Sequence, residues 1–359
     1  MSKFRTLKIK DIRKETEDTV SIALQIENGT SGDFHYVAGQ HLTFRAIING
    51  EEVRRSYSLC SSPVEAEWRI AVKKVPGGRF STYANEDLHV GDTVEVMPPM
   101  GSFTHDINPQ AENLYVAFAA GSGITPVISL IKTILFSEPK STFILFYGNR
   151  TTDGIIFREE LEGIKSRFLD RFSIHHILSG ERQESPLFNG RIDEDKCRVF
   201  SKVFFNPNQV DKFFLCGPEM MIENVKAFLV KAGVRDDHIK YELFTTPASK
   251  AFAGRETRKD TPHNPDEESL ATVILDGDLL EFTMPYDGRS VLEEAIDHGA
   301  DAPFACKGGV CCTCKARLVE GEVKMDVVYG LEPDEIENGY ILTCQAHPRS
   351  KKIIVDFDV

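Results

Sequence analysis

The chain has 359 residues, 41% of them hydrophobic, and a net charge of −13. That length suits two or three domains with ordinary cores, and the acidic balance disfavours a nucleic-acid partner. The opening stretch Met1–Ile9 lacks the apolar centre of a secretory signal, and the apolar run near residues 114–120 is too short to span a membrane. With eight cysteines beside this, a reducing cytoplasm is expected.

Residues 1–108 read as an antiparallel β-barrel or sandwich, with the barrel preferred. Short alternating runs at 6–12, 19–26, 41–47, 68–72 and 93–97 are separated by turn signals at Asn28-Gly29, Asn49-Gly50, Gly77-Gly78 and Gly91-Asp92. Two stretches here carry candidate chemistry. In Arg55-Ser56-Tyr57-Ser58-Leu59, on an extended strand, Arg55 and Tyr57 share a face and Ser58 takes the other. An arginine can clamp a pyrophosphate, a tyrosine can stack on a flat ring, and a serine can reach a ring nitrogen. In Gly77-Gly78-Arg79-Phe80-Ser81-Thr82, a glycine pair opens a helix and offers free N–H groups to an anion. Alone, either pattern equally describes a surface strand or a plain turn.

From Glu112 the pattern becomes strand–helix alternation, and residues 109–246 read as a doubly wound α/β domain with a parallel sheet. Strands are expected at 114–119, 142–147, 172–178, 212–216 and 239–244, with helices at 127–136, 157–168, 193–205 and 218–232. Between the first strand and helix stand Gly121-Ser122-Gly123-Ile124-Thr125-Pro126. This is a nucleotide-phosphate turn with Pro126 in place of a third glycine. Ligands of such sheets sit at the strand carboxyl ends. Those ends are Gly121–Gly123, Tyr147–Arg150, Cys216-Gly217-Pro218 and Glu242-Leu243-Phe244. Arg150 follows the second strand, where an arginine suits a ribose 2′-phosphate, so NADPH is favoured over NADH; the bland alternative is a surface arginine. Cys216 reads either as a small buried residue or as a wall of the nicotinamide site.

Residues 247–268 are polar, proline-bearing and without periodicity, and read as a linker. Residues 269–359 read as a small α+β domain. It has strands at 271–275 and 280–284 around an Asp276-Gly277-Asp278 turn, a helix at 291–298 capped by Ser290 and ended by Gly299, and strands at 315–319 and 353–357. This segment carries 17 acidic and 8 basic residues, a net −9. That excess serves solubility, or steers a basic partner.

Cys306, Cys311 and Cys314 have the spacing C-x4-C-x2-C, with Cys344 thirty residues on. This is the plant-type [2Fe–2S] ligand pattern. Gly308 and Gly309 let backbone N–H groups approach the sulfurs, and Cys312 is left as a non-ligand beside the cluster. The alternatives are a disulfide framework, a zinc site or buried cysteines; zinc would want two C-x2-C-type pairs, and one such step exists.

In this order the motifs resemble the ferredoxin–NADP reductase superfamily, in the form with a C-terminal plant-type ferredoxin domain of β-grasp fold. Arg55-Ser56-Tyr57-Ser58 matches the family's FAD motif and Gly77-Gly78-x-x-Ser81 its flavin-pyrophosphate stretch. Gly121-x-Gly123-Ile124-Thr125-Pro126 and Cys216-Gly217-Pro218 match its nicotinamide-nucleotide motifs. The cluster loop and Tyr147-Gly148-Asn149-Arg150 look like those of phenylacetyl-CoA epoxidase reductases. The resemblance implies FAD, a [2Fe–2S] cluster and NADPH as cofactors, and an oxygenase component as partner. It implies that hydride reaches the flavin at a site lined by Ser58 and Cys216, that Glu242 relays a proton, and that Phe244 shields the flavin ring. Plant-type members end on an aromatic residue that covers the flavin; here the chain continues past Phe244. Other readings are the reductase of a Rieske, steroid or carnitine hydroxylase, or a non-catalytic redox-sensing subunit, which would show damaged cofactor motifs.

Overall fold

The computed structural model describes residues 4–26, 34–244 and 267–358. The Asn28-Gly29 turn and residues 247–266 of the expected linker lie outside the described residues.

The first sheet contains β1 (Arg5–Thr16), β2 (Thr19–Gln25), β3 (His41–Ile48), β4 (Glu51–Ser58), β5 (Trp68–Lys73) and β6 (Thr93–Val96). Their order is β4-β3-β6-β1-β2-β5, and neighbouring strands run antiparallel. A bridge from Leu59 to Ile70 joins the two outer strands, so the sheet curls into a barrel around Leu42, Phe44, Ile70, Val72 and Val96. Asn49 and Gly50 both have positive φ, 54° and 79°, the geometry of a tight hairpin turn between β3 and β4. That turn sets Thr43 opposite Ser56 and His41 opposite Ser58. Helix α1 (Arg79–Glu86) follows the Gly77-Gly78 turn and buries Phe80 and Ala84 against the barrel.

The second unit alternates β7 (Leu114–Ala120), α2 (Ile124–Ser137), β8 (Thr142–Asn149), α3 (Arg158–Arg167) and β9 (Phe172–Leu178). It continues with α4 (Glu194–Val203), β10 (Lys212–Cys216), α5 (Glu219–Lys231) and β11 (Ile239–Glu242). The sheet order is β11-β10-β7-β8-β9 and every pair is parallel. The chain winds outward from β7 to β9, then returns to the other side, so the topological switch lies between β7 and β10. Helix α2 starts at Ile124 rather than at the expected Val127, because a 3-10 turn over Gly121–Gly123 feeds straight into it. Pro126 sits in its first turn, where a missing N–H costs nothing. Strand β11 stops at Glu242, short of the expected Phe244.

The third unit contains β12 (Glu268–Leu275), β13 (Asp278–Pro285), α6 (Val291–Asp297), β14 (Lys315–Glu320) and β15 (Val323–Met325). It ends with α7 (Pro333–Glu337), β16 (Tyr340–Leu342), β17 (Ala346–Pro348) and β18 (Lys352–Asp356). Its mixed sheet runs β13-β12-β18-β14-β16, with β12 and β18 parallel. Ser290 and Glu293 form a reciprocal capping box at the start of α6. Strands β15 to β17 and helix α7 span three to five residues each, too few to leave a periodic trace in the sequence.

The cluster loop of the third unit lies against the barrel. Thr313 Oγ1 is 3.1 Å from Thr43 Oγ1, and the Arg54 guanidinium lies over the Phe304 ring, 4.1 Å from its centroid. Lys240 of β11 donates to the Ser102 carbonyl of the barrel at 2.9 Å and stands 3.7 Å from Glu332.

A Cβ on Gly123 would sit 2.1 Å from the Cys216 carbonyl oxygen, so β10 and the α2 turn meet only across a glycine. Gly123→Ala is expected to lower unfolding stability by about 1–3 kcal/mol in a denaturant titration. Gly163, inside α3 with open space around its Cβ position, should instead gain about 0.5–1 kcal/mol on substitution by alanine.

Candidate functional site

The cluster loop brings the four expected thiols into two pairs. The thiols of Cys306 and Cys311 are electrostatically interacting neighbours, and so are those of Cys314 and Cys344. All eight cysteines are free thiols, so the loop is not a disulfide framework. Among the described residues no three His, Cys, Asp or Glu side chains gather around one point as ligands of a single metal ion. Two thiol pairs rather than one tetrahedral set fit two bridged irons, each taking two thiolates. The Gly308 N–H points at Cys306 Sγ at 3.2 Å and the Cys306 N–H at Cys311 Sγ at 3.4 Å, as an anionic centre requires. Hydrogen bonding from Cys311, then from the Gly308, Val310 and Cys311 amides, holds the Cys306 thiol below its ordinary value. Gln345 Nε2 adds a weak approach to Cys344 Sγ at 3.7 Å. Cys312 belongs to neither pair: its buried thiol is pushed up to about 12.

A second constellation forms where the three units meet. Ser58, the last residue of β4, donates to Glu242 Oε2 at 3.3 Å. Glu242 lies beside Cys216 through the β10–β11 register. Ser58, Cys216 and Glu242 come from distant parts of the chain and converge here because β11 borders β10 at the sheet edge facing the barrel. Burial pushes the Glu242 carboxyl up to about 8, against the hydrogen bond from Ser58, although 14% of its side chain remains accessible. Burial also raises the Cys216 thiol, helped by the Glu242 charge.

His41 is the member that sequence reasoning missed. It opens β3, and its Nδ1 is 3.9 Å from Glu242 Oε1. It is 4% exposed, and burial lowers its pKa to about 4 against a smaller opposing pull from the Cys311 backbone. Its Nε2 is buried without a hydrogen-bond partner. Gly101, with φ +121°, leaves room for the imidazole: a Cβ there would lie 3.0 Å from Nδ1. The only sequence signal was a histidine at the start of a strand, which any buried polar residue would give. A small cleft at this junction is lined by His41 and Ser102 of the barrel, Glu242 of β11, and Val310, Cys312 and Tyr329 of the third unit.

The remaining site residues form two rims. On the barrel, Tyr57 packs its ring 5.4 Å from that of Phe80, and the Arg55 guanidinium donates to the Arg54 carbonyl at 2.7 Å. A Cβ on Gly78 would lie 2.4 Å from both Ser81 Oγ and Val75 Cγ2, so glycine is required there. Ser81 is occupied in holding this turn, donating to the Gly78 carbonyl and accepting from the Val75 N–H, both at 3.2 Å. Gly77, at φ +71°, has open space where a Cβ would stand. This cradle of bare backbone fits a pyrophosphate.

On the α/β side, Gly121 has φ +54° and open space around it, and its carbonyl accepts from Tyr147 Oη at 2.9 Å. Thr125 turns its hydroxyl back to the Ser122 carbonyl at 3.0 Å, and Pro126 is buried. Gly217 and Pro218 lead from Cys216 into α5. These backbone turns flank the switch point and fit a dinucleotide. Arg150 is exposed past the end of β8 and lies against Gly180, where a Cβ would come within 2.9 Å of its Cγ. Phe244 is 42% exposed, two residues beyond β11.

Three family models match the chain in succession: an oxidoreductase FAD-binding domain over residues 6–105, an oxidoreductase NAD-binding domain over 118–227 and a 2Fe-2S iron-sulfur cluster binding domain over 273–349. The chain is 39% identical to one of the subunits of 1,2-phenylacetyl-CoA epoxidase from Escherichia coli (strain K12), covering 100% of this chain and 99% of that one. It is 31% identical to the ferredoxin reductase component of 3-ketosteroid-9-alpha-monooxygenase of Mycolicibacterium smegmatis, over 98% and 96% of the two chains. Among solved structures, phthalate dioxygenase reductase superposes with a TM-score of 0.58 at 27% identity, covering 99% of this chain and 98% of that one. An intact type IV self-sufficient cytochrome P450 monooxygenase shares the fold with a TM-score of 0.70 at 21% identity; this chain spans 41% of its length. Among the described residues no helix is long and apolar enough to cross a membrane. The chain therefore belongs to the ferredoxin reductase superfamily, as a flavin-, nicotinamide- and iron–sulfur-dependent oxidoreductase whose FAD-binding, NAD-binding and 2Fe-2S domains follow one another in a single polypeptide.

Proposed function

We propose that this protein is the NADPH-dependent reductase of a multicomponent oxygenase in the cytoplasm, and that the oxygenase is a phenylacetyl-CoA epoxidase. The observation that carries the reductase reading is the convergence of Ser58, Cys216 and Glu242 at one junction onto which the cluster loop closes. The identity over the full length of an epoxidase component supports the choice of oxygenase. When bound, the flavin takes a hydride from the nicotinamide and passes electrons singly to the cluster.

The chain's own residues supply placement. Arg55 and the Gly77 and Gly78 amides hold the flavin pyrophosphate, with Ser81 keeping the turn open. Tyr57 would offer its ring to the flavin, and the exposed Phe244 would shield the flavin and make way for the nicotinamide. Gly121, Gly123, Thr125 and Pro126 shape one wall of the nucleotide site, and Gly217 and Pro218 the other. Ser58 and the small, neutral Cys216 leave space for the nicotinamide between them. Glu242, kept protonated toward neutral pH by its burial, stands one hydrogen bond from Ser58 Oγ; a proton relay through this pair would have Ser58 turn its own hydroxyl proton toward the acceptor as it takes one from Glu242. Arg150 has no ion-pair partner among the described residues and is available for a 2′-phosphate. Cys306, Cys311, Cys314 and Cys344 hold the two irons.

Purified protein should contain flavin and two irons per chain, and should reduce ferricyanide with NADPH. Absence of flavin, or indifference to both nucleotides, would contradict the reading. Arg150→Ala should lower kcat/KM for NADPH by about 10- to 100-fold while leaving that for NADH in place. Equal losses with both nucleotides would remove the argument for NADPH.

Cys312→Ser should keep full iron content, whereas Cys314→Ser should lose the cluster; iron and sulfide assays distinguish the two.

Glu242 binds its proton more tightly in the folded protein than in the unfolded chain. Its contribution to stability is therefore greatest below pH 4.5 and is lost as pH rises toward about 8. The melting temperature of the wild type, relative to Glu242→Gln, should fall across that window and level off above it. A constant difference would show that the carboxyl titrates normally.

A further inference from the structure

The barrel and the cluster loop share a buried chain of hydroxyls for which the cofactor motifs give no role. Thr43, on β3, is 1% exposed, and Thr313, between Cys312 and Cys314, is fully buried. Thr43 Oγ1 lies 3.0 Å from Ser56 Oγ and 3.1 Å from Thr313 Oγ1. Thr313 Oγ1 in turn donates to the Cys311 carbonyl at 3.4 Å. Each hydroxyl has one proton to give. A single polarity uses all three: Ser56 to Thr43, Thr43 to Thr313, Thr313 to the Cys311 carbonyl. One end of this chain is the residue between Arg55 and Tyr57; the other is the backbone of a cluster-loop cysteine.

Its place in the fold follows from register. The β3–β4 hairpin sets Thr43 opposite Ser56, and His41 opposite Ser58, two positions along, borders the Glu242 junction. The contact with the third unit is therefore made from the strand that neighbours the flavin motif. Arg54, 7% exposed, anchors the same surface: it stacks on Phe304 and lies 3.5 Å from Asp301.

We propose that Thr43 and Thr313 are positioning residues, whose hydroxyl bridge locks the cluster loop onto the strand that neighbours the flavin motif and fixes the path by which electrons cross between the two modules. The electron-path half of this statement rests on the proposed reductase function; the docking half does not. In the transfer, one electron leaves the reduced flavin and reduces the oxidised cluster. No bond in either threonine forms or breaks, and the hydroxyl protons stay where they are.

The test compares Thr43→Val, Thr313→Val, the double valine variant and the serine variants Thr43→Ser and Thr313→Ser, all as holoproteins. Hydrogen exchange of the amides at 41–44 and 311–314 reads docking without any turnover. Anaerobic rapid mixing with NADPH reads flavin bleaching and cluster reduction separately. Both single valine variants should lose protection at both segments together, and cluster reduction should slow by about 5- to 10-fold while flavin bleaching keeps its wild-type rate. The double variant should be no slower than either single one, because the bridge is already broken. Serine should restore protection and rate. The proposal is overturned if the valine variants transfer electrons at the wild-type rate, or if protection at the two segments is unchanged. It is overturned equally if serine fails to rescue, since restoring the hydroxyl would then not restore the dock. If the wild-type flavin is not bleached by NADPH, the reductase reading fails, and hydrogen exchange still decides the docking bridge.

Discussion

The site depends on one carboxyl being carried out of water. Glu242 ends β11, the edge strand of the parallel sheet. Among the described residues, its oxygens meet Ser58 of the barrel, at 3.3 Å, and the imidazole of His41, at 3.9 Å. An ionised carboxylate in that place would be costly, so the group keeps its proton to about pH 8. Its neighbours are likewise held neutral: burial raises the Cys216 thiol and lowers the His41 imidazole. The result is a largely buried junction of neutral groups able to hydrogen-bond.

The same junction explains why three modules act as one machine. The barrel supplies β3 and β4, the parallel sheet supplies β10 and β11, and the cluster loop closes over both. Val310 and Tyr329 pack against the core of the α/β module while Thr313 bonds to the barrel. The thiol pairs have different company from that carboxyl, with sulfurs met by other thiols and by backbone N–H groups. The buried carboxyl and the thiol pairs thus occupy adjacent but separate surroundings. The acidic surplus of the third unit lies on a module that must also meet an outside acceptor, and charge of that kind governs encounter more than affinity.

Much of this was legible in the sequence because the elements concerned are long or chemically marked. Strands β9 and β10 fall on the expected residues, since apolar runs bounded by polar turns leave little choice. The four thiols that pair in the cluster loop were marked by their spacing, because enclosing two irons demands it. What sequence could not show was adjacency across modules. Ser58 and Glu242 are 184 positions apart, and Thr43 and Thr313 are 270 apart. Their meeting depends on how closed sheets dock, which no local pattern encodes. His41 was invisible for the same reason: its burial comes from Gly101 and the cluster loop, not from its own neighbours. Short pieces such as β15 and α7 were missed because three to five residues carry no period.

In the proposed relay, electrons enter at the Ser58–Cys216–Glu242 junction and leave through the Cys306–Cys344 loop. The most direct measurement is anaerobic reduction of the holoprotein by two equivalents of NADPH, enough for the flavin's two electrons and the cluster's one, followed by visible absorbance and EPR on the same sample. The expected result is loss of flavin absorbance together with a rhombic signal from a reduced [2Fe–2S] cluster. A bleached flavin beside an EPR-silent, oxidised cluster would contradict the relay, because the docked loop would then not be the exit for the electrons.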